Sequence, residues 1–233
     1  MKLFKILIII ALVTVSNIKV AFSASGAASV YKITIQQIAL CETGSALNNC
    51  LNPVVVYEAD SGIIDIASTT AGAAAATLGS ATEAVVGTSY TYVQVVMNRL
   101  ITISGTGISD GTDTCGTDGG TAGTVGDNAE GVADAGAGEL VVAAGYAGAA
   151  PGTTAFSGHT AVTEVTQTAN QDPDNDTYFQ WRVALAAPFV YDGIQNPSVS
   201  IAFGTDNALS FNQGGGGTCV AYASAPDVTI TIN

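Results

Sequence analysis

Apolar residues in this chain recur at every second position and hardly anywhere at every third or fourth. The cleanest case is Tyr178 to Ala186, where Phe179, Trp181, Val183 and Leu185 alternate with Tyr178, Gln180, Arg182 and Ala184. A strand sends successive side chains to opposite faces, so this pattern sets one face against a core. In Tyr90 to Ser104, Tyr92, Gln94, Val96 and Asn98 share one side, and Val93, Val95, Met97 and Arg99 share the other. Both sides carry apolar groups, as a central strand would. Val30 to Leu40 alternates through Tyr31, Ile33 and Ile35, then changes phase at Ile38 and Leu40, which a bulge near Gln37 explains.

Further strands are expected at Glu139 to Ala144, Ala161 to Thr168 and Val228 to Ile232. Two hairpins are expected. One runs from Val54–Tyr57 through Asp60-Ser61-Gly62 to Ile63–Ala67, the other from Val199–Phe203 through Gly204-Thr205-Asp206-Asn207 to Ala208–Phe211. Ala71 to Val85 reads as a crossover between sheets, with room for a short helix. Gly105 to Gly138 lacks Lys and Arg, is dominated by Gly, Asp, Thr and Ala, and reads as a long loop or insertion. The 27 glycines, and the scarcity of the Lys, Glu and Leu that fill helices, agree with strands throughout. The expected fold is an all-β antiparallel sandwich, immunoglobulin- or prealbumin-like, of roughly ten short strands with a long Gly/Asp-rich insertion. The regular strands and aromatic girdles of a membrane barrel are not evident.

Met1 to Lys5 carries two lysines, Ile6 to Val15 is apolar apart from Thr14, and Ala21, Ser23 and Ala24 are small. This is the layout of a secretory signal peptide, and it places cleavage near Ala24. The apolar run is shorter than the ~20 residues that span hydrocarbon, so no span is expected after cleavage. The expected organisation is a signal peptide at 1–24 and a single domain at 25–233, exported to the extracellular space or cell surface, or alternatively to the periplasm. Past residue 24 the only bases are Lys32, Arg99 and Arg182 against nineteen acids, a formal charge of −16. Such a surface repels nucleic acid and anionic membranes and attracts cations.

Cys41, Cys50, Cys115 and Cys219 all lie after the leader, and an even number in an exported chain reads as disulfides. Three pairings are possible; Cys41–Cys50 with Cys115–Cys219 is the expected one. A zinc site is disfavoured by the absence of any Cys-x-x-Cys and by a single histidine, His159. No cofactor is expected beyond a candidate calcium ion. Its ligands would be Asp172, Asp174 and Asp176, whose alternate spacing aims carboxylates at one hard cation, although the glycine and glutamate of an EF-hand loop are missing. Gly107-Ile108-Ser109-Asp110-Gly111 matches Gly-x-Ser-x-Gly, but a nucleophile elbow needs a helix after the serine, and Thr112 to Gly120 cannot supply one. The expected role is therefore not enzymatic. Asn175-Asp176-Thr177 fits the N-glycosylation pattern and is read as incidental.

Tyr31-Lys-Ile-Thr-Ile-Gln-Gln-Ile-Ala-Leu, then Ile64-Asp-Ile-Ala, then Gly87-Thr-Ser-Tyr-Thr-Tyr-Val-Gln-Val resemble exported prealbumin-like β-sandwich domains of bacterial surface proteins, over about residues 31–104. The resemblance implies a fold, and no functional residue carries over from it. The functional expectation is a structural or adhesive surface protein, a subunit of a fibre or coat. It would self-assemble by strand addition at its ends or meet other surface proteins. The alternative is a carbohydrate- or calcium-binding module, motivated by the acidic loops and by Tyr178, Trp181 and Tyr191.

Overall fold

The structure, a computed structural model, describes residues 25–47, 49–68, 74–109, 114–121, 129–133, 135–143, 160–162, 178–194, 197–213 and 218–232. The β-sandwich expected from the alternation is present, and no α-helix occurs among these residues.

Its frame is one bent ribbon. Strands β1 (Ser25–Ile33) and β2 (Ile35–Glu42) follow each other with only Thr34 between them. After β3 (Val54–Glu58), β4 (Ile64–Asp65) and β5 (Ala74–Ser80), strands β6 (Ser89–Asn98) and β7 (Leu100–Ile108) do the same around Arg99. β1 pairs antiparallel with β7, and β2 with β6. The Asn98 N–H donates to the Thr34 carbonyl at 2.9 Å where the ribbon turns from one sheet into the next. Each long strand read from the sequence is therefore two strands with a break, at Thr34 and at Arg99. The expected change of phase is present as a register shift between Ile35 and Gln37.

Strand β2 opens a five-stranded sheet that also holds β3, β6, β11 (Thr160–Val162) and β12 (Tyr178–Val190), in the order β11-β12-β6-β2-β3. Facing it is a three-stranded sheet, β16-β13-β5, built on β13 (Ser198–Gly204) and β16 (Asp227–Ile232). Between them pack Ile35, Val95, Met97, Trp181, Val183, Ile201, Phe203, Val228 and Ile230, around a void of about 10 Å³. Its lining is wholly apolar, so it stays dry. Burial of each large aliphatic or aromatic side chain here contributes on the order of 1.5 to 3 kcal/mol.

Strand β1 also opens the curled sheet, with β7, β8 (Thr114–Thr121), β9 (Ala129–Ala133), β10 (Leu140–Ala143), β14 (Leu209–Gln213) and β15 (Thr218–Ala223). The order runs β10-β7-β8-β9-β15-β14-β1-β4, and because β1 also pairs with β7 the sheet curls round until the circuit β7-β8-β9-β15-β14-β1 closes. Gly105–Gly138, expected as a loop, supplies much of this sheet. Its glycines serve close packing. A Cβ on Gly105 would lie 2.4 Å from the Ala27 carbonyl oxygen and from Leu209 Cδ1, and one on Gly107 would lie 2.8 Å from the Phe211 ring. Thr117, buried, does for β8 what a ladder partner would. Its hydroxyl accepts from the Gly105 and Gly138 N–H groups at 3.1 Å each and donates to the Gly138 carbonyl.

Neither expected hairpin forms. β3 pairs with β2 while β4 pairs with β1, and β13 lies in the small sheet while β14 lies in the curled one. Both turns carry the chain across a sheet boundary instead. The first is held at the ribbon corner by Ala59 N–H on the Gln36 carbonyl and Ser61 N–H on the Ile35 carbonyl. The second is held by Ala28 N–H on the Thr205 carbonyl. In the stretch with room for a short helix, the described residues 74–85 hold β5 and a single 3-10 turn, Ala81–Glu83.

Tyr31 is buried beneath this frame. Its hydroxyl donates to the Ser224 carbonyl at 2.9 Å, its N–H donates to Asp65 Oδ1 at 3.0 Å, and burial pushes the phenol well above its ordinary range. A phenol that resists ionisation only in the folded state contributes stability that is whole below the unfolded pKa of about 10 and is lost as pH rises beyond it. Alkaline titration followed by circular dichroism should show wild type losing stability above about pH 10, with Tyr31→Phe showing a shallower loss from a lower starting stability. Gly107→Ala should lower stability by roughly 1 to 3 kcal/mol in denaturant melts, and Phe211→Leu in the same chain should recover part of that loss.

Candidate functional site

The two flanks of the sandwich differ. On one, β5 lies directly on β3: Gly79, at φ +77°, sits where a Cβ would come 2.2 Å from the Val56 carbonyl oxygen. On the other, β12 overlies β16 without a ladder between them. β12 leaves its pairing with β6 between Ala184 and Phe189, because Leu185-Ala186-Ala187-Pro188 bulges out and Pro188 has no N–H to give. The bulge and residues 229–232 of β16 enclose a groove of about 240 Å³ lined by Leu185, Phe189, Ile230 and Ile232. β16 pairs with β13 on one edge; no described strand is hydrogen-bonded to its other edge, which borders the groove beside the β12 bulge.

At the end of this flank the apolar surface continues. Phe189 stacks between Tyr90 and Tyr191, with ring centroids 6.3 and 6.5 Å away. Tyr90 Oη accepts the Val85 N–H at 2.9 Å, and the Tyr191 carbonyl accepts the Gly87 N–H at 2.9 Å, so two turns are clamped side by side. Asp192 Oδ1 accepts the Ile194 N–H and shapes the second turn, while Gly193, at φ +77°, lets Val86 approach. The clamp holds four branched aliphatics in water: Val85 at 59%, Val86 at 63%, Val190 at 53% and Ile194 at 85% exposure. Their grouping rather than their number makes the surface unusual, since scattered exposed aliphatics are ordinary. Residues 184–191 and 228–232 carry no charge, in a chain with nineteen acids.

The outer face of the five-stranded sheet is polar and buried. Gln37, Gln94, Gln180 and Arg182 are each at most 5% exposed. Arg182 Nη2 donates to Gln180 Oε1 at 3.1 Å and Nη1 to the Leu47 carbonyl at 3.4 Å, and burial lowers the guanidinium below its ordinary pKa. Leu47 belongs to the loop closed by Cys41–Cys50, whose Cα atoms are 5.1 Å apart. That disulfide is as expected. The Cys115–Cys219 bond is not: both are buried thiols, on β8 and β15 with β9 between them, opposite Ala133 and Gly131 respectively. Their sulfurs are not joined in the structure.

Ser109 follows β7, buried, and β8 begins at Thr114, so a strand rather than a helix comes next among the described residues. Trp181 is buried in the sandwich core, which removes it as a platform for a sugar ring. Asp172, Asp174, Asp176 and His159 lie outside the described residues. No cluster of three or more metal-ligating side chains occurs among the described ones, and no described helix is long and apolar enough to cross a membrane. The aliphatic patch was missed by sequence reasoning. Its only signal is Val85-Val86 and Ile194 standing in turn segments, where apolar residues have no core to fill.

Comparison with protein-family models, with curated proteins and with solved structures finds no match.

The Cys41–Cys50 bond closes a loop of about ten residues, so replacing both with alanine should cost about 2 to 3 kcal/mol in denaturant melts. A thiol titration of the oxidised protein should register two groups on unfolding and almost none before it, because both remaining cysteines are buried.

Proposed function

We propose that this protein is a structural or adhesive β-sandwich of the cell surface, exported and built into a fibre or coat. The observation that supports this reading is the apolar, charge-free flank beside the open edge of β16. Soluble proteins usually blunt an open edge with charge, proline or a covering loop, and rarely leave grouped aliphatics in water, unless another chain covers them. The remaining surface favours solubility before assembly. Lys32 is bound to Glu139, Arg182 is buried and Arg99 is buried, so acids dominate outside. Strand addition is the mode that fits. β16 carries an edge that no described strand pairs with, and that edge can take an added strand.

Fractionation of the native host, followed by negative-stain microscopy of the oxidised protein with and without millimolar calcium, tests the reading. Retention at the cell surface, with ordered polymers or arrays, is the expected result. A single chain found free in the medium under both conditions would overturn it. Calcium or glycan binding by such a monomer would turn attention to a binding module.

A further inference from the structure

The edge of β16 differs from those of β3 and β10 and from the β12 bulge. β3 follows Pro53, ends in Glu58 and is covered at Val56 by β5; the bulge of β12 contains Pro188; β10 begins behind Glu139. Val228-Thr229-Ile230-Thr231-Ile232 has no charge, proline, glycine or bulge, and it is made entirely of β-branched residues, which favour strands. Thr229 and Thr231 are exposed and border the groove together with Ile230 and Ile232, while Val228 and Ile230 turn toward the core.

The five residues read alike in both directions about Ile230: branched apolar, Thr, Ile, Thr, branched apolar. A two-fold interface requires such self-complementarity, because the same patch must serve both partners. We infer that β16 pairs antiparallel with β16 of a second copy of this chain, with Ile230 opposite Ile230, Thr229 opposite Thr231 and Val228 opposite Ile232. This inference rests on the assembly reading above and names its partner. The two three-stranded sheets become one six-stranded sheet, with both apolar faces on the same side. Charge does not oppose the contact. The paired segment is neutral, and the two Asp227 side chains fall at opposite ends, roughly 20 Å apart, beyond a Debye length of ~8 Å at physiological salt. The product is a closed two-chain unit from which a coat is built.

Threonines directly opposite each other across a ladder bring their Cβ atoms within reach of a disulfide. Oxidising an equal mixture of Thr229→Cys and Thr231→Cys chains should therefore give a cross-linked pair, and either variant alone should give little. Both positions are exposed in the single chain, so a Thr229→Lys/Thr231→Lys chain should keep the wild-type circular dichroism spectrum. In light scattering it should fall from the mass of two chains to that of one, because each lysine then faces another. Absence of the register-specific cross-link, or a lysine variant that assembles as wild type does, overturns β16 pairing while leaving the assembly reading standing. A wild type that is a single chain under every condition removes both.

Discussion

The fold depends on the corner where the Asn98 N–H meets the Thr34 carbonyl. Two strands pass through that point side by side, so the five-stranded sheet and the curled sheet share one ladder and cannot form independently. On one side of the corner, Ile35, Val95 and Met97 face the small sheet; on the other, Ile33, Tyr31 and Ile103 begin the curled one. The other strands are placed by pairing with this ribbon, by packing against it, or by pairing with a strand that does. β12 adds to β6, β14 and β4 add to β1, and β13 with β16 covers the inner face.

Alternation was enough to read the sandwich, because a strand with one buried face writes its period directly into the sequence. Residues 178–186 and 228–232 show this in β12 and β16. The breaks at Thr34 and Arg99 were not legible. A chain that crosses from one sheet to another keeps its period of two, and the crossing leaves no local mark. Glycine misled for a physical reason as well. It signals a turn in most sequences, but at positions 105 and 107 it is the only residue that leaves room for Leu209, Phe211 and the β1 backbone. The hairpins failed on the same ground as the second disulfide. Asp60-Ser61-Gly62 and Cys115 with Cys219 mark turns and thiols, while the partner of each strand is decided by contacts far away in the chain. The Cys41–Cys50 bond was legible because a short spacing leaves little choice.

The apolar flank follows from a failure of closure. β5 seats on β3 because Gly79 lets the two backbones touch, whereas Pro188 and the residues before it lift β12 out of its ladder over β16. Among the described residues the sandwich is thus sealed along one side and left apolar and unpaired along the other. In the assembly proposed above, the excess of acids elsewhere would keep copies apart, and the neutral flank would set where contact occurs.

Amide hydrogen exchange across β16, compared between dilute and concentrated protein, tests this account most directly. Protection of residues 228–232 that grows with concentration, with β3 and the curled sheet unchanged, is the result the account predicts. Exchange in β16 that is fast and indifferent to concentration, or protection that grows at another edge, would contradict it.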